Sequence, residues 1–223
     1  MTETESFPHR DLSIDQQVAL RTAATHLGRE FDGTFGEETI ERFLHSSYDQ
    51  FAGRSTIPNF LPLMAERFAR QRLRALAKVE GHHTDGKPIV LFLWVHNAGR
   101  SQMAMGFFQH LAGDNAVAWS GGSEPGNEVN PAAIAAMSER GIDISREFTK
   151  PWTDEIVRAA DVVVSMGCGD ACPVFPGKRY MEWTLDDPAG QSVDDVRPIR
   201  DDIERRVRGL LDDLGVPAQS RTI

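Results

Sequence analysis

One run near the middle of the chain, PIVLFLWVHNAGRSQMAMGFF from Pro88 to Phe108, leaves few folds open. Its first part is apolar and uncharged, with the β-branched and aromatic content of a buried strand. Its last part has the apolar spacing of a helix, and between the two lies a short loop, WVHNAG, closed by Arg100-Ser101. A strand that passes this abruptly into a helix belongs to a parallel sheet, whose ligands bind beyond the carboxyl ends of the strands. The loop has the composition for holding an anion. Asn97 and Gly99 tolerate unusual backbone angles, a curled loop before a helix N-terminus points several N–H groups inward, and Arg100 offers a planar fork to two oxygens.

The alternation continues downstream. Residues 101–111 read as a helix, 116–120 as a strand, 131–140 and 153–160 as helices, 162–166 and 180–183 as strands, and about 196–214 as a closing helix. That predicts an α/β fold with a parallel sheet and helices on both faces. The loops after residues 94, 120, 166 and 183 should then converge.

Upstream, residues 12–80 carry three apolar helical faces, marked by Val18, Leu20, Ala24 and Leu27, by Phe35, Ile40, Phe43, Leu44 and Phe51, and by Leu61, Met64, Phe68, Leu73 and Leu76. They predict a small three-helix bundle, with Ser13 and Gln16 spaced as a capping box. The basic stretch LMAERFARQRLRALAKVE reads either as the solvated face of an amphipathic helix or as a docking surface. The polar, turn-rich segment from Gly81 to Pro88 marks a boundary: a helical domain over 1–84, a sheet domain over 88–216 and a tail over 217–223. His82-His83 within it invites a metal reading, but no third ligand stands at a supporting spacing, so a solvated linker is favoured and no metal is assigned.

With 223 residues, 40% hydrophobic, the chain can bury a real core. A formal charge of -9 removes the broad basic footprint that nucleic acid or an anionic membrane would require. The N-terminus has no charged-then-apolar leader, and no stretch approaches the roughly 18 apolar residues of a membrane span. A cytoplasmic protein is expected, with its two cysteines, Cys168 and Cys172, held as thiols.

Taken together, these residues resemble the low-molecular-weight protein tyrosine phosphatase family and, within it, the thiol-coupled arsenate reductases. The family loop is Cys-x5-Arg-Ser. Here Trp94 stands first, then VHNAG, then Arg100-Ser101. RSQMAMGFF at 100–108, SGGSEPGNEVNPAAIAAMSERGIDIS at 120–145, SMGCGDACPVFPGKRY at 165–180 and LDDPAGQ at 185–191 are also similar to the reductase branch, so the likeness spans about residues 88–215. The N-terminal helices resemble the three-helix extension of mycothiol-coupled actinobacterial members.

The resemblance implies that Trp94 occupies the nucleophile position, that Val95, His96, Asn97, Ala98, Gly99 and Arg100 form the oxyanion-binding loop, and that Ser101 would hydrogen-bond the attacking thiolate. Asp187, in Asp187-Pro188, matches the general acid, with Asp186 as its neighbour. It further implies arsenate or phosphate as ligand, reduction of arsenate to arsenite, a low-molecular-weight thiol such as mycothiol as cosubstrate, a redoxin partner and no bound cofactor. Cys168 and Cys172 are either small packing residues of a loop or a redox pair. An indole neither attacks nor leaves as a thiolate does, so the expected protein is an arsenate reductase-like one impaired by Trp94. The alternatives are a non-catalytic oxyanion-sensing or interaction pseudoenzyme, a phosphatase, and chemistry relocated to Cys168.

Overall fold

The computed structural model describes residues 12–53, 58–82, 85–167 and 174–219. They divide into two compact units, one up to Arg70 and one from Gln71 onward. The first unit holds α1 (Ile14–Glu30), α2 (Glu37–Ala52) and the first half of α3 (Leu61–Val79). The capping box at the start of α1 forms: the Ser13 hydroxyl accepts from the Gln16 N–H at 3.2 Å and the Gln16 side chain accepts from the Ser13 N–H at 3.0 Å. Leu20, Leu27, Ile40, Leu44, Phe51 and Phe68 bury the apolar faces. In the basic stretch, Arg70 pairs with Glu30 at 2.6 Å and with Glu66 at 2.7 Å.

The second unit is built on β1 (Ile89–Leu93), β2 (Val117–Gly121), β3 (Val162–Ser165) and β4 (Arg179–Glu182). All three pairings are parallel, in the order β2-β1-β3-β4. Four helices connect and cover them: α4 (Arg100–Ala112), α5 (Pro131–Ser138), α6 (Asp154–Ala159) and α7 (Val193–Asp213). Every residue of β1 is buried, as a central strand covered on both faces demands. Val90 and Phe92 join one core with residues of α4, α5 and α7, where Phe92 meets Phe108 edge-on at 5.9 Å and Trp183 at 5.8 Å. By strand alternation Leu91 and Leu93 face the opposite side.

Two features differ from what the residue pattern suggests. The final helix starts at Val193, before the apolar periodicity begins, because Ser192 caps it by accepting from the Asp195 N–H, and Pro198 lies inside it. The last turns of α3 belong to the second unit, where Arg72 pairs with Glu155 and Lys78 with Asp161, each at 2.6 Å. Asp161 also accepts the N–H of Ile89, fixing the start of β1.

The register sets the site. Leu93 lies opposite Gly121 on one side and Ser165 on the other, so three strands end level at one edge. The strand ends come together there, while residues 168–173 of the loop after Met166 lie outside the described residues. Trp94 N–H bonds Gly121 O at 3.2 Å, Met166 N–H bonds Leu93 O at 2.9 Å, and Trp183 N–H bonds Ser165 O at 2.8 Å.

Candidate functional site

Beyond Leu93 the loop 94–99 curls with its carbonyls turned outward. Val95 O accepts from Glu124 N–H at 2.9 Å, His96 O from Gly126 N–H at 2.8 Å, and Ala98 O from Asn130 N–H at 2.8 Å. Among the described residues, the N–H groups from Val95 to Gly99 meet no protein acceptor. A loop whose carbonyls at Val95, His96 and Ala98 are held from outside presents its amides to the centre, which is the electrostatics of an anion cradle.

Asn97 fixes that shape. It is the one described non-glycine residue with positive φ, 48°, and it is fully buried. Its Oδ1 accepts from the Lys150 N–H at 3.0 Å and from Gln102 Nε2 at 3.1 Å, while its Nδ2 donates to the Ser101 hydroxyl at 2.9 Å. Gln102 Nε2 also reaches Asn97 O and Phe148 O. Gly122 closes the back of the loop, since a Cβ there would stand 2.5 Å from Val95 O and 2.7 Å from Trp94 O.

Arg100 opens α4 with its side chain 5% exposed. One terminal nitrogen donates to Leu185 O at 2.7 Å and the other lies 3.4 Å from Asp187 Oδ2, too far for a good hydrogen bond. That second nitrogen and Nε are buried with no hydrogen-bond partner. Burial pushes the guanidinium below its usual value, against the pull of Asp187 and Asp186, and it stays charged at neutral pH. Its central carbon sits 3.3 Å from the centre of the Trp94 ring, a close cation–π stack. The indole extends from there toward Gly167, where a Cβ would meet it at 3.0 Å.

Asp187 is half exposed and its Oδ1 accepts from the Ala189 N–H at 3.1 Å. Pro188 binds its loop to the cradle. A Cβ on Gly99 would stand 2.6 Å from Pro188 Cγ, and Asn130 Nδ2 donates to Pro188 O at 2.9 Å. The same Asn130 caps α5, accepting from Ala132 N–H at 2.8 Å. Asp186 is exposed, and exposed His96 lies with Nδ1 3.2 Å from Glu124 O, its ring edge-on to Trp94.

The structure therefore gathers Trp94, Asn97, Arg100, Ser101 and Asp187 in one place. Cys168 and Cys172 lie outside the described residues, as does His83. His82 contacts Glu80 at 3.3 Å, and no group able to hold a metal occurs among the described residues. No described helix is long and apolar enough to cross a membrane. Two residues that bind the site together were not singled out in the sequence. Asn130 had a readable signal, an Asn before Pro131 where a helix begins, whereas Gln102 looks like any other residue of α4.

Residues 89–220 match the family model for low molecular weight phosphotyrosine protein phosphatases, and residues 20–77 match that for the N-terminal domain of protein-tyrosine-phosphatase-like proteins. Over nearly its whole length the chain is similar to the thioredoxin-dependent arsenate reductase of Corynebacterium glutamicum. The two are 40% identical with a TM-score of 0.80, covering 90% of this chain and 98% of that one. Arsenate reductase 1 of Staphylococcus epidermidis is 40% identical over 125 residues, 54% of this chain and 93% of its own length. The arsenate reductase of Halalkalibacterium halodurans is 38% identical over 132 residues, 55% of this chain and 94% of its own.

Proposed function

Because the chain belongs to the low molecular weight phosphotyrosine protein phosphatase family, we propose that it is an arsenate reductase-type protein whose cradle has kept its donors while Trp94 stands in place of the attacking thiol. The observation that carries this reading is the cradle itself: outward carbonyls, a buried Arg100 with unused donors, and Asp187 tethered beside it. The reductase reading is preferred to phosphatase because the relatives along most of the chain are arsenate reductases.

Thiol-coupled reduction takes two electrons from a pair of thiols, which leave as a disulfide, and delivers them to arsenate as it becomes arsenite. An indole carries no sulfur to attack arsenic, so turnover through residue 94 is absent in the native chain. Asp187 is assigned the general acid role and Ser101 the support of a thiolate at position 94. The reductant is a redoxin or a low-molecular-weight thiol such as mycothiol. The similarity to a thioredoxin-dependent reductase of Corynebacterium glutamicum favours the redoxin. Cys168 and Cys172 are proposed as the redox relay that a restored thiol would use.

The deciding assay compares arsenate reduction by the native chain and by Trp94→Cys, with thioredoxin or mycothiol as reductant and aryl phosphate hydrolysis in parallel. Loss of a nucleophile that acts as one unit with its helpers costs on the order of a million-fold, so the Cys variant should gain many orders of magnitude over a near-silent native chain. A native chain that already turns over, and loses this in Cys168→Ser, would defeat the reading. If neither form acts, the non-catalytic oxyanion-sensing protein takes its place.

A further inference from the structure

The unusual feature of the cradle is the side chain stacked on its arginine. Arg100 is a buried cation, and a buried cation without compensation is expensive. One of its nitrogens is satisfied by Leu185 O, while Nε and the other terminal nitrogen find no hydrogen-bond acceptor. The Asp187 carboxylate, 3.4 Å from that second terminal nitrogen, supplies part of the remaining compensation, and the face of an indole 3.3 Å away supplies the rest. That indole lies between the guanidinium and Gly167, and the loop that would coordinate an anion leaves its amides unpaired. Trp94 is only partly buried, unlike the core tryptophans Trp119 and Trp183, which are 8% and 4% exposed.

Resting on the reading of the loop as an oxyanion cradle, we infer that the Trp94 indole is an internal occupant of that cradle, holding Arg100 by stacking where a tetrahedral oxyanion would hold it by ion pairing. The native chain is then self-blocked toward oxyanions. Removing the indole uncovers a site for inorganic phosphate or arsenate built from the loop amides and the freed Arg100.

Titration calorimetry with inorganic phosphate tests this on the full chain. Trp94→Ala should bind phosphate at least about 30-fold more tightly than the native chain, the ratio that corresponds to releasing a desolvated cation–π contact of about 2 kcal/mol. Phosphate should also raise the melting temperature of Trp94→Ala and leave that of the native chain unchanged. Adding Arg100→Met to Trp94→Ala should abolish both effects. Native and Trp94→Ala chains of equal affinity would overturn the inference, and so would a folded Trp94→Ala that binds nothing. Should Trp94→Ala fail to fold, Trp94→Cys carries the same comparison. Failure of both to fold would make the indole a core residue and end the proposal. A Trp94→Cys chain that binds phosphate yet reduces no arsenate defeats the functional reading and leaves this one standing.

Discussion

Asn97 shows how one side chain can hold a loop against its own backbone preference. A φ of 48° is unfavourable for any residue with a Cβ, by about 1 kcal/mol, and Asn97 accepts it while bonding Lys150, Gln102 and Ser101. Asn97→Ala keeps the strain and removes the buried acceptor that the Lys150 N–H and the Gln102 amide share, a loss of about 2 kcal/mol or more. Asn97→Gly makes the same loss without the strain and should be about 1 kcal/mol less destabilised, as urea denaturation would show; equal losses would mean that the backbone angle carries no cost here. The unusual backbone angle at Asn97 was legible because Asn is among the few residue types that tolerate positive φ. What Arg100 stacks on was not legible, since a sequence shows that an indole follows β1 but not which way its ring turns.

Between elements, the site depends on close approaches that leave no trace in composition. Gly99→Ala would drive a methyl into Pro188 Cγ, 2.6 Å away, and push the Asp187 loop off the cradle. In a Trp94→Cys background it should lower kcat more than it lowers stability, read by comparing turnover with melting temperature. A second junction ties α5 to α7 and is sensitive to acid. Hydrogen bonds from Arg197 and Arg200 hold the carboxyl of Glu139 down at about 2. A depressed carboxylate stabilises the fold fully above its unfolded value, near 4.5, and that contribution disappears as pH falls toward about 2. Glu139→Gln should therefore flatten the stability–pH curve of the native chain in that acid window and leave its slope unchanged above about pH 6; identical curves for the two chains would refute the coupling. The helix–strand alternation was readable from apolar period, whereas the true start of α7 was not, because Ser192 caps it through hydrogen bonding and not through hydrophobic pattern.

For the molecule as a whole, a parallel sheet with its site beyond the carboxyl ends of the strands follows from strand alternation, so the edge that carries the loop was foreseeable before any contact was known. The division of the chain was less so. The polar segment before β1 reads as a boundary, yet residues 71–79 of α3 lie in the second unit through Arg72–Glu155 and Lys78–Asp161. A fragment starting at Gln71 should unfold cooperatively at a higher urea midpoint than one starting at Lys87, which lacks both pairs; coincident midpoints would show that those turns contribute nothing to the sheet unit. The stack of Arg100 on Trp94 has one more consequence, and it is optical. An indole lying 3.3 Å under a cation has an excited state unlike that of the two tryptophans sealed in the core. The cradle thus carries its own chromophore, and the emission difference between the native chain and Trp94→Phe reports on that one loop without any added label.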